Sequence, residues 1–287
     1  MFFLVLVILL MLVQGVAFST LSERYLLGGS QQRLGPNKVS FVGLLQPIAD
    51  GVKLVKKEQF YPLHSSGFFF VFVPSMVFLV MCLEWFVLSF FFDFFTMFYG
   101  VLLFLCLMGF SVYGFLLGGV VSKSKYGLLG ALRAGSQSVS YEIVFSIFVI
   151  CIINFWGSYF FLCSSGFIFV YFFLPFFFLF LGELNRAPFD FSEGESELVS
   201  GYNIEFGSIS YVLYYMGEYG GLLFFSVFFS LLFFDCSFWV FYFVFCLLVF
   251  VRSSFPRFRY DMLMGFFWFV MLPLSLYYFF YFILLFL

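Results

Sequence analysis

Three carboxylates stand where a hydrocarbon-rich chain should have none. Glu142 lies within the apolar run 137–155, Glu183 near the end of 167–184, and Glu218 inside 209–234, close to mid-bilayer if a helix begins near 209. An ionised carboxylate at such depth costs at least about 2.5–3.5 kcal/mol, and packing alone does not call for it. Each is therefore a candidate proton carrier whose proton occupancy follows its desolvation. The stretch 183–205 adds Asp190, Glu193, Glu195, Glu197 and Glu205, against the single base Arg186. A charge run of this kind is by default a solvated loop. Its nearness in sequence to intramembrane carboxylates favours a relay, because crowded carboxylates share protons and titrate as a group over a wide pH range. Glu84 and Asp93, at or beyond the outer end of another apolar run, read as solvated residues. The arginines, permanently charged, are expected mainly to form ion pairs, with the acidic loop among their candidate partners and the surface of a neighbouring subunit as another.

Other chemistries lack their residues. Cys82, Cys106, Cys151, Cys163, Cys236 and Cys246 sit in apolar runs with no C-x-x-C pair, so neither a zinc site nor an iron-sulfur cluster is expected. A membrane b-type haem needs two axial ligands, and His64 is the one histidine. No glycines stand at G-x-G spacing, so the dinucleotide fingerprint is missing as well.

The elements that must position these acids follow from composition. Of the 287 residues 64% are apolar and 10% charged, against about 25% charged in a soluble domain. That excludes a water-soluble globule and a disordered chain, and a net charge of -2 offers no footprint for nucleic acid. The 56 phenylalanines exceed what bilayer partitioning needs and read as coding bias: an AT-rich organellar genome, or a bacterium or endosymbiont of similar base composition. A span takes about 20 apolar residues, and eight runs qualify: 2–22, 67–88, 95–120, 137–155, 167–184, 209–234, 237–251 and 262–287. The first is read as a helix and not a signal peptide, because no base precedes Arg24. Eight crossings sort the linkers into two sets. All 13 basic residues fall in 23–66, 121–136, 185–208 and 252–261, and none in 89–94, 156–166 or 235–236. The basic set should face the matrix or cytoplasm. The expected fold is thus an all-α integral membrane protein, one polytopic domain over 1–287, with eight transmembrane helices and an interfacial amphipathic helix.

That amphipathic helix is expected within 42–58, where Leu45, Ile48, Val52 and Val55 form a stripe and Asp50, Lys53, Lys56 and Lys57 lie mostly opposite. It reads as a membrane-surface linker or as one wall of an entrance for a lipid-soluble ligand. Pro74, Pro175 and Pro273 fall inside predicted helices, and Gly114 and Gly118 offer a close helix contact; both features read as packing.

Several stretches resemble a known family. They are Glu23-Arg24 with Gly28, Gln32-Arg33, Gly35-Pro36-Asn37, Gly43 to Pro47 and Ala49-Asp50; Leu132-Arg133 through Ser140-Tyr141-Glu142; Glu183-Leu184-Asn185-Arg186-Ala187-Pro188-Phe189-Asp190, continuing through Glu193-Gly194-Glu195-Ser196-Glu197 to Gly201; and Pro256-Arg257-Phe258-Arg259-Tyr260-Asp261. Nearly the whole chain, in order, resembles the membrane subunit at the quinone site of respiratory complex I. The resemblance implies a multi-pass subunit of the mitochondrial inner membrane where the membrane arm meets the peripheral arm. Its first helix, amphipathic helix and sixth crossing would frame a ubiquinone route. Iron-sulfur clusters and FMN would reside in peripheral-arm partners, with antiporter-like membrane subunits as further partners, and this chain would bind no cofactor of its own. Carried over by position, Glu142, Glu183, Glu218, Asp190, Glu193, Glu195 and Glu197 resemble the family's proton relay. Arg24, Asp50, Arg133 and Arg186 fall near its quinone chamber and loops. The chain departs from the pattern at Tyr25, where a basic residue is common, at Phe191 for Leu, and at Met262 for Gln, which puts any polar contact of that amide in doubt. Two alternatives stay open: the corresponding subunit of a membrane-bound hydrogenase, and a stand-alone proton or cation channel.

Overall fold

The structure, a computed structural model, describes residues 2–62, 65–88, 99–156, 170–190, 201–234 and 237–286. His64, Asp93, Cys163, Phe191, Glu193, Glu195, Glu197 and Cys236 lie outside the described residues.

Apolar side chains and the need to satisfy every backbone N–H and C=O within the segment make helices of the apolar runs. They are α1 (Phe2–Ser30), α2 (Gln46–Lys56), α3 (Gly67–Val87), α4 (Gly100–Ser122), α5 (Lys125–Trp156), α6 (Val170–Glu183), α7 (Ser208–Phe234) and α8 (Phe238–Ser254). The last apolar run forms α9 (Tyr260–Phe266), a π-helical turn (Phe267–Met271) and α10 (Leu272–Phe286). Among the described residues six helical stretches are long and apolar enough to cross a membrane, and Phe172–Glu183 and Phe238–Ser254 are shorter apolar helices. The described residues form an all-helical membrane protein.

Two boundaries differ from the expected ones, for one reason: hydropathy marks the hydrocarbon, not the end of helical hydrogen bonding. The first helix runs on to Ser30 instead of ending near 22, and Ser19, Thr20, Ser22 and Ser30 each return their hydroxyls to carbonyls three residues back. The stretch 121–136 is helical from Lys125 rather than a linker throughout. Lys123 ends α4 in a left-handed conformation (φ 53°), and Ser124 Oγ accepts from the Gly127 N–H at 3.1 Å, capping α5. At 32 residues, α5 is roughly 48 Å long, well beyond the ~30 Å hydrocarbon core.

The prolines act as packing features. α3 and α6 continue through Pro74 and Pro175. Pro273 has no N–H to offer the carbonyl of Phe269, and the π turn lies immediately before it. Gly114 and Gly118 do make the close contact: Tyr214 of α7 lies against both and donates its hydroxyl to the Gly114 carbonyl at 3.2 Å.

The core is an aromatic lattice shared by α4, α5, α6 and α7. Phe104 stands 4.9 Å from Phe228, Phe180 stands 5.0 Å from Phe225, and Phe148 packs on Phe172 and Phe176. α3 packs on α4 and α7, while α1 packs on α7 and α8, leaving α2 against α1 and the start of α7.

Candidate functional site

Three cavities follow one another along the first half of α7. The outermost is a groove of about 610 Å³ between α1, α2 and α7, walled by Ala17 and Thr20, by Ile48 and Leu54, and by Tyr211 and Tyr215 among others. Pro47 sits in the first turn of α2 and sets where that helix begins. The apolar stripe of α2 is exposed, as a membrane-surface helix requires, with Val52 62% accessible. Arg24 of α1 and Asp50 of α2 pair across the groove at 3.0 Å, and Lys53 and Lys57 also line it. Tyr25, the departure from the family's basic residue, donates its hydroxyl to the carbonyls of Pro36 and Val42 and so ties the segment after α1 back onto that helix.

A second space of about 200 Å³ is walled by Asn203, Tyr211, Tyr215, Glu218, Tyr219 and Arg252. It shares Tyr211 and Tyr215 with the groove. Behind it a third cavity of about 80 Å³ holds Glu84, Glu183 and Glu218 together with Ser111, Tyr202 and Tyr214. Glu218 walls both inner spaces. The groove and the two inner spaces are thus neighbours sharing wall residues, and the innermost holds three carboxylates, from α3, α6 and α7.

An ion cluster built on the buried Glu23 and Arg186 adjoins the second space through Glu218 and Arg252. Arg186, buried at 7% exposure in the segment after α6, reaches Glu23 Oε2 at 3.1 Å and Glu218 Oε1 at 3.6 Å, and its guanidinium lies 4.3 Å from the Tyr219 ring centre. Arg252 takes the other Glu23 oxygen at 2.5 Å. Burial would pull the Arg186 guanidinium down, but Glu23 and Glu218 together hold it above its ordinary value, so it stays charged. The segment that carries Arg186 is held at depth by Gln137 of α5, whose amide donates to the Phe189 carbonyl at 2.8 Å, and by the Phe258 N–H donating to Pro188.

The remaining candidates are placed apart from the cavity. Glu142 is half-buried on α5, with Oε1 so close to Gly109 of α4 that a Cβ there would come within 2.5 Å; it faces α4 rather than the three-acid space, within electrostatic reach of Glu183. Asp190 pairs with Arg257 at 3.0 Å, and Glu205 is exposed. Arg133 is half-buried on α5 and walls none of the three cavities. Ion pairing holds for Arg24, Arg186, Arg252, Arg257 and Arg259, the last with Asp261 at 3.4 Å.

One reading is overturned. Glu84 is not a solvated end residue: it is 6% exposed and faces the inner cavity. The signal was its helical spacing from Val77 and Met81, which pack on Gly217 and Gly220 of α7 and so define the face that turns inward. Glu23 and Arg252 were visible only as charges beside apolar runs; nothing local announces that they meet. Among the described residues no three of His, Cys, Asp and Glu come together as a metal site.

Comparison with known proteins agrees with this architecture. Residues 3–283 match the family model for NADH dehydrogenase. Relatives include NADH-ubiquinone oxidoreductase chain 1 of Aedes aegypti, 43% identical over 283 residues, covering 94% of this chain and 90% of the relative. The same chain of Locusta migratoria is 42% identical over 295 residues, covering 98% and 93%, and that of Metridium senile 40% over 302 residues, covering 95% and 89%. The chain belongs to the NADH dehydrogenase family, that of the chain 1 subunits of NADH-ubiquinone oxidoreductase.

Proposed function

We propose that this chain is the core membrane subunit of a proton-pumping NADH:ubiquinone oxidoreductase, in which it admits ubiquinone and couples its reduction to proton movement. The observation that carries the reading is the continuity of walls from the α1/α2/α7 groove, through Tyr211 and Tyr215, to Glu218 and the carboxylates behind it. The relatives' name favours this over a hydrogenase subunit or an independent channel.

The groove suits an amphipathic ligand. Its apolar wall takes an isoprenoid tail, while the Arg24–Asp50 pair and the tyrosines suit a polar head group. Electrons come from iron-sulfur clusters and FMN held by peripheral-arm partner subunits. Reduction of ubiquinone to ubiquinol takes up two electrons and two protons. Drawing those protons near Arg186 and the basic-side loops changes the local charge, and Glu218, Glu183 and Glu142 respond by exchanging protons with water in the cavities. Asp190, Glu193, Glu195 and Glu197 extend the same set towards the loop, and Arg133 supports the chamber side. The altered charge then passes to antiporter-like membrane subunits. In this reading the six long and two shorter apolar helices make eight crossings of the mitochondrial inner membrane. The loops 23–66, 121–136, 185–208 and 252–261 face the matrix, where all 13 basic residues lie.

Glu142→Gln or Glu218→Gln in the intact complex is expected to suppress both ubiquinone reduction and proton pumping while assembly survives. Normal pumping in both variants refutes the relay.

A further inference from the structure

Glu84 has a place in the molecule that the relay above does not use. Its side chain is more than nine-tenths buried near the end of α3, and among the described residues it has neither an ion pair nor a hydrogen-bond partner. It does have neighbours of its own kind, for Glu183 and Glu218 wall the same 80 Å³ cavity. Orientation towards that cavity is enforced. The indole N–H of the adjacent Trp85 donates to the Gly220 carbonyl at 3.3 Å, and Val77 and Met81, two turns and one turn earlier, seat against Gly217 and Gly220. With α3 keyed to α7 in this way, Glu84 cannot turn towards lipid without breaking the helix contact.

A buried carboxyl without a cation beside it is tolerated only with a proton attached, or with water to share its charge. A water occupies about 30 Å³ of liquid, so the cavity has room for roughly two. Glu218, by contrast, has Arg186 to balance it at 3.6 Å. The groups facing Glu84 across the space are Glu183 from α6, Glu218 and Tyr214 from α7, Tyr202 from the turn before α7, and Ser111 from α4; Cys82 is its near neighbour on α3.

We infer that Glu84 is an additional proton-exchanging residue of this cavity, handing its proton to an ionised Glu183 or Glu218 through cavity water and taking one back from the same pair. The exchange leaves the cavity's total charge unchanged while moving the negative charge from α6 or α7 to α3. This deepens the relay proposed above and rests on it.

The test uses the intact complex. Glu84→Gln, Glu84→Asp and Glu183→Gln are compared for ubiquinone-reductase turnover, proton pumping and the pH profile of turnover. Expected is a loss of pumping and a changed pH profile in Glu84→Gln, with recovery in Glu84→Asp, which a merely structural role would not produce. A wild-type phenotype in Glu84→Gln alongside an impaired Glu183→Gln overturns the role of Glu84 and leaves the relay standing. Wild-type behaviour in both overturns the relay too. If Glu84→Gln fails to assemble, labelling of the unaltered complex decides, using dicyclohexylcarbodiimide, which adds to protonated carboxyls in apolar surroundings. An adduct on the peptide holding Glu84 supports the inference, and modification of Glu183 alone overturns it.

Discussion

The two halves of α7 are one unbroken helix in two different environments. From 208 to 221 it offers Tyr211, Tyr214, Tyr215, Glu218 and Tyr219, with Gly217, Gly220 and Gly221 among them, and every one of the three cavities lies against it. From 222 to 234 it offers Phe224, Phe225, Phe228, Phe229 and Phe233, each buried in the aromatic lattice. Both halves are helical for the same backbone reason, so helix formation does not distinguish them. Side-chain volume does. Interlocked rings fill space to crystal-like density, whereas the tyrosine hydroxyls and carboxylates of the first half wall small spaces of a size and polarity that suit water. The dry half supplies rigidity, and the polar half lines the three cavities.

Substitutions can break that division in order of effect. Phe228→Ala, in the dry half, should cost about 3–5 kcal/mol through lost burial and a cavity. It should appear as a lower thermal midpoint of the complex, with the pH profile of turnover unchanged in what remains folded. Arg186→Met, at the partner of Glu218 in the polar half, should cost about 3 kcal/mol, the low end for breaking a buried pair, because Arg252 still neutralises Glu23. Unlike the phenylalanine change it should also alter that pH profile, since Glu218 loses its counter-charge. Tyr214→Phe removes the hydroxyl donated to Gly114 and should cost about 0.5–1.5 kcal/mol. Thermal unfolding of the two complexes side by side checks it. Arg24→Gln, at the exposed pair with Asp50, should change stability by less than about 1 kcal/mol. It should nevertheless raise the apparent KM for ubiquinone if the groove is the access route; an unchanged KM would separate that pair from quinone binding.

Much of this arrangement can be read from the chain itself. The apolar runs become helices, because burying a backbone in lipid leaves no other solution, though α1 and α5 extend well past the limits expected from hydropathy. The amphipathic stripe within 42–58 becomes α2, and Glu183 and Glu218 lie on helices formed by the apolar runs that contain them. What misleads is rotation. Glu84, near a helix end, reads as solvated, yet it faces inward because Trp85 and two glycine contacts key α3 to α7. Glu142, read with Glu183 and Glu218 as a single set, instead seats its carboxylate against Gly109, outside their cavity.

By itself, then, the amino-acid order determined which segments are apolar enough to form membrane helices, which linkers carry the basic residues, and that acids fall inside apolar runs. Those properties depend on composition along a line. Only the tertiary structure decided that Glu23, Arg186, Arg252 and Glu218 form one cluster, and that Glu84 joins Glu183 at a single cavity. Glu23 and Arg252 are 229 positions apart. No local pattern encodes such a meeting, because the azimuth of each helix is set by how its small and large residues interlock with those of its neighbours.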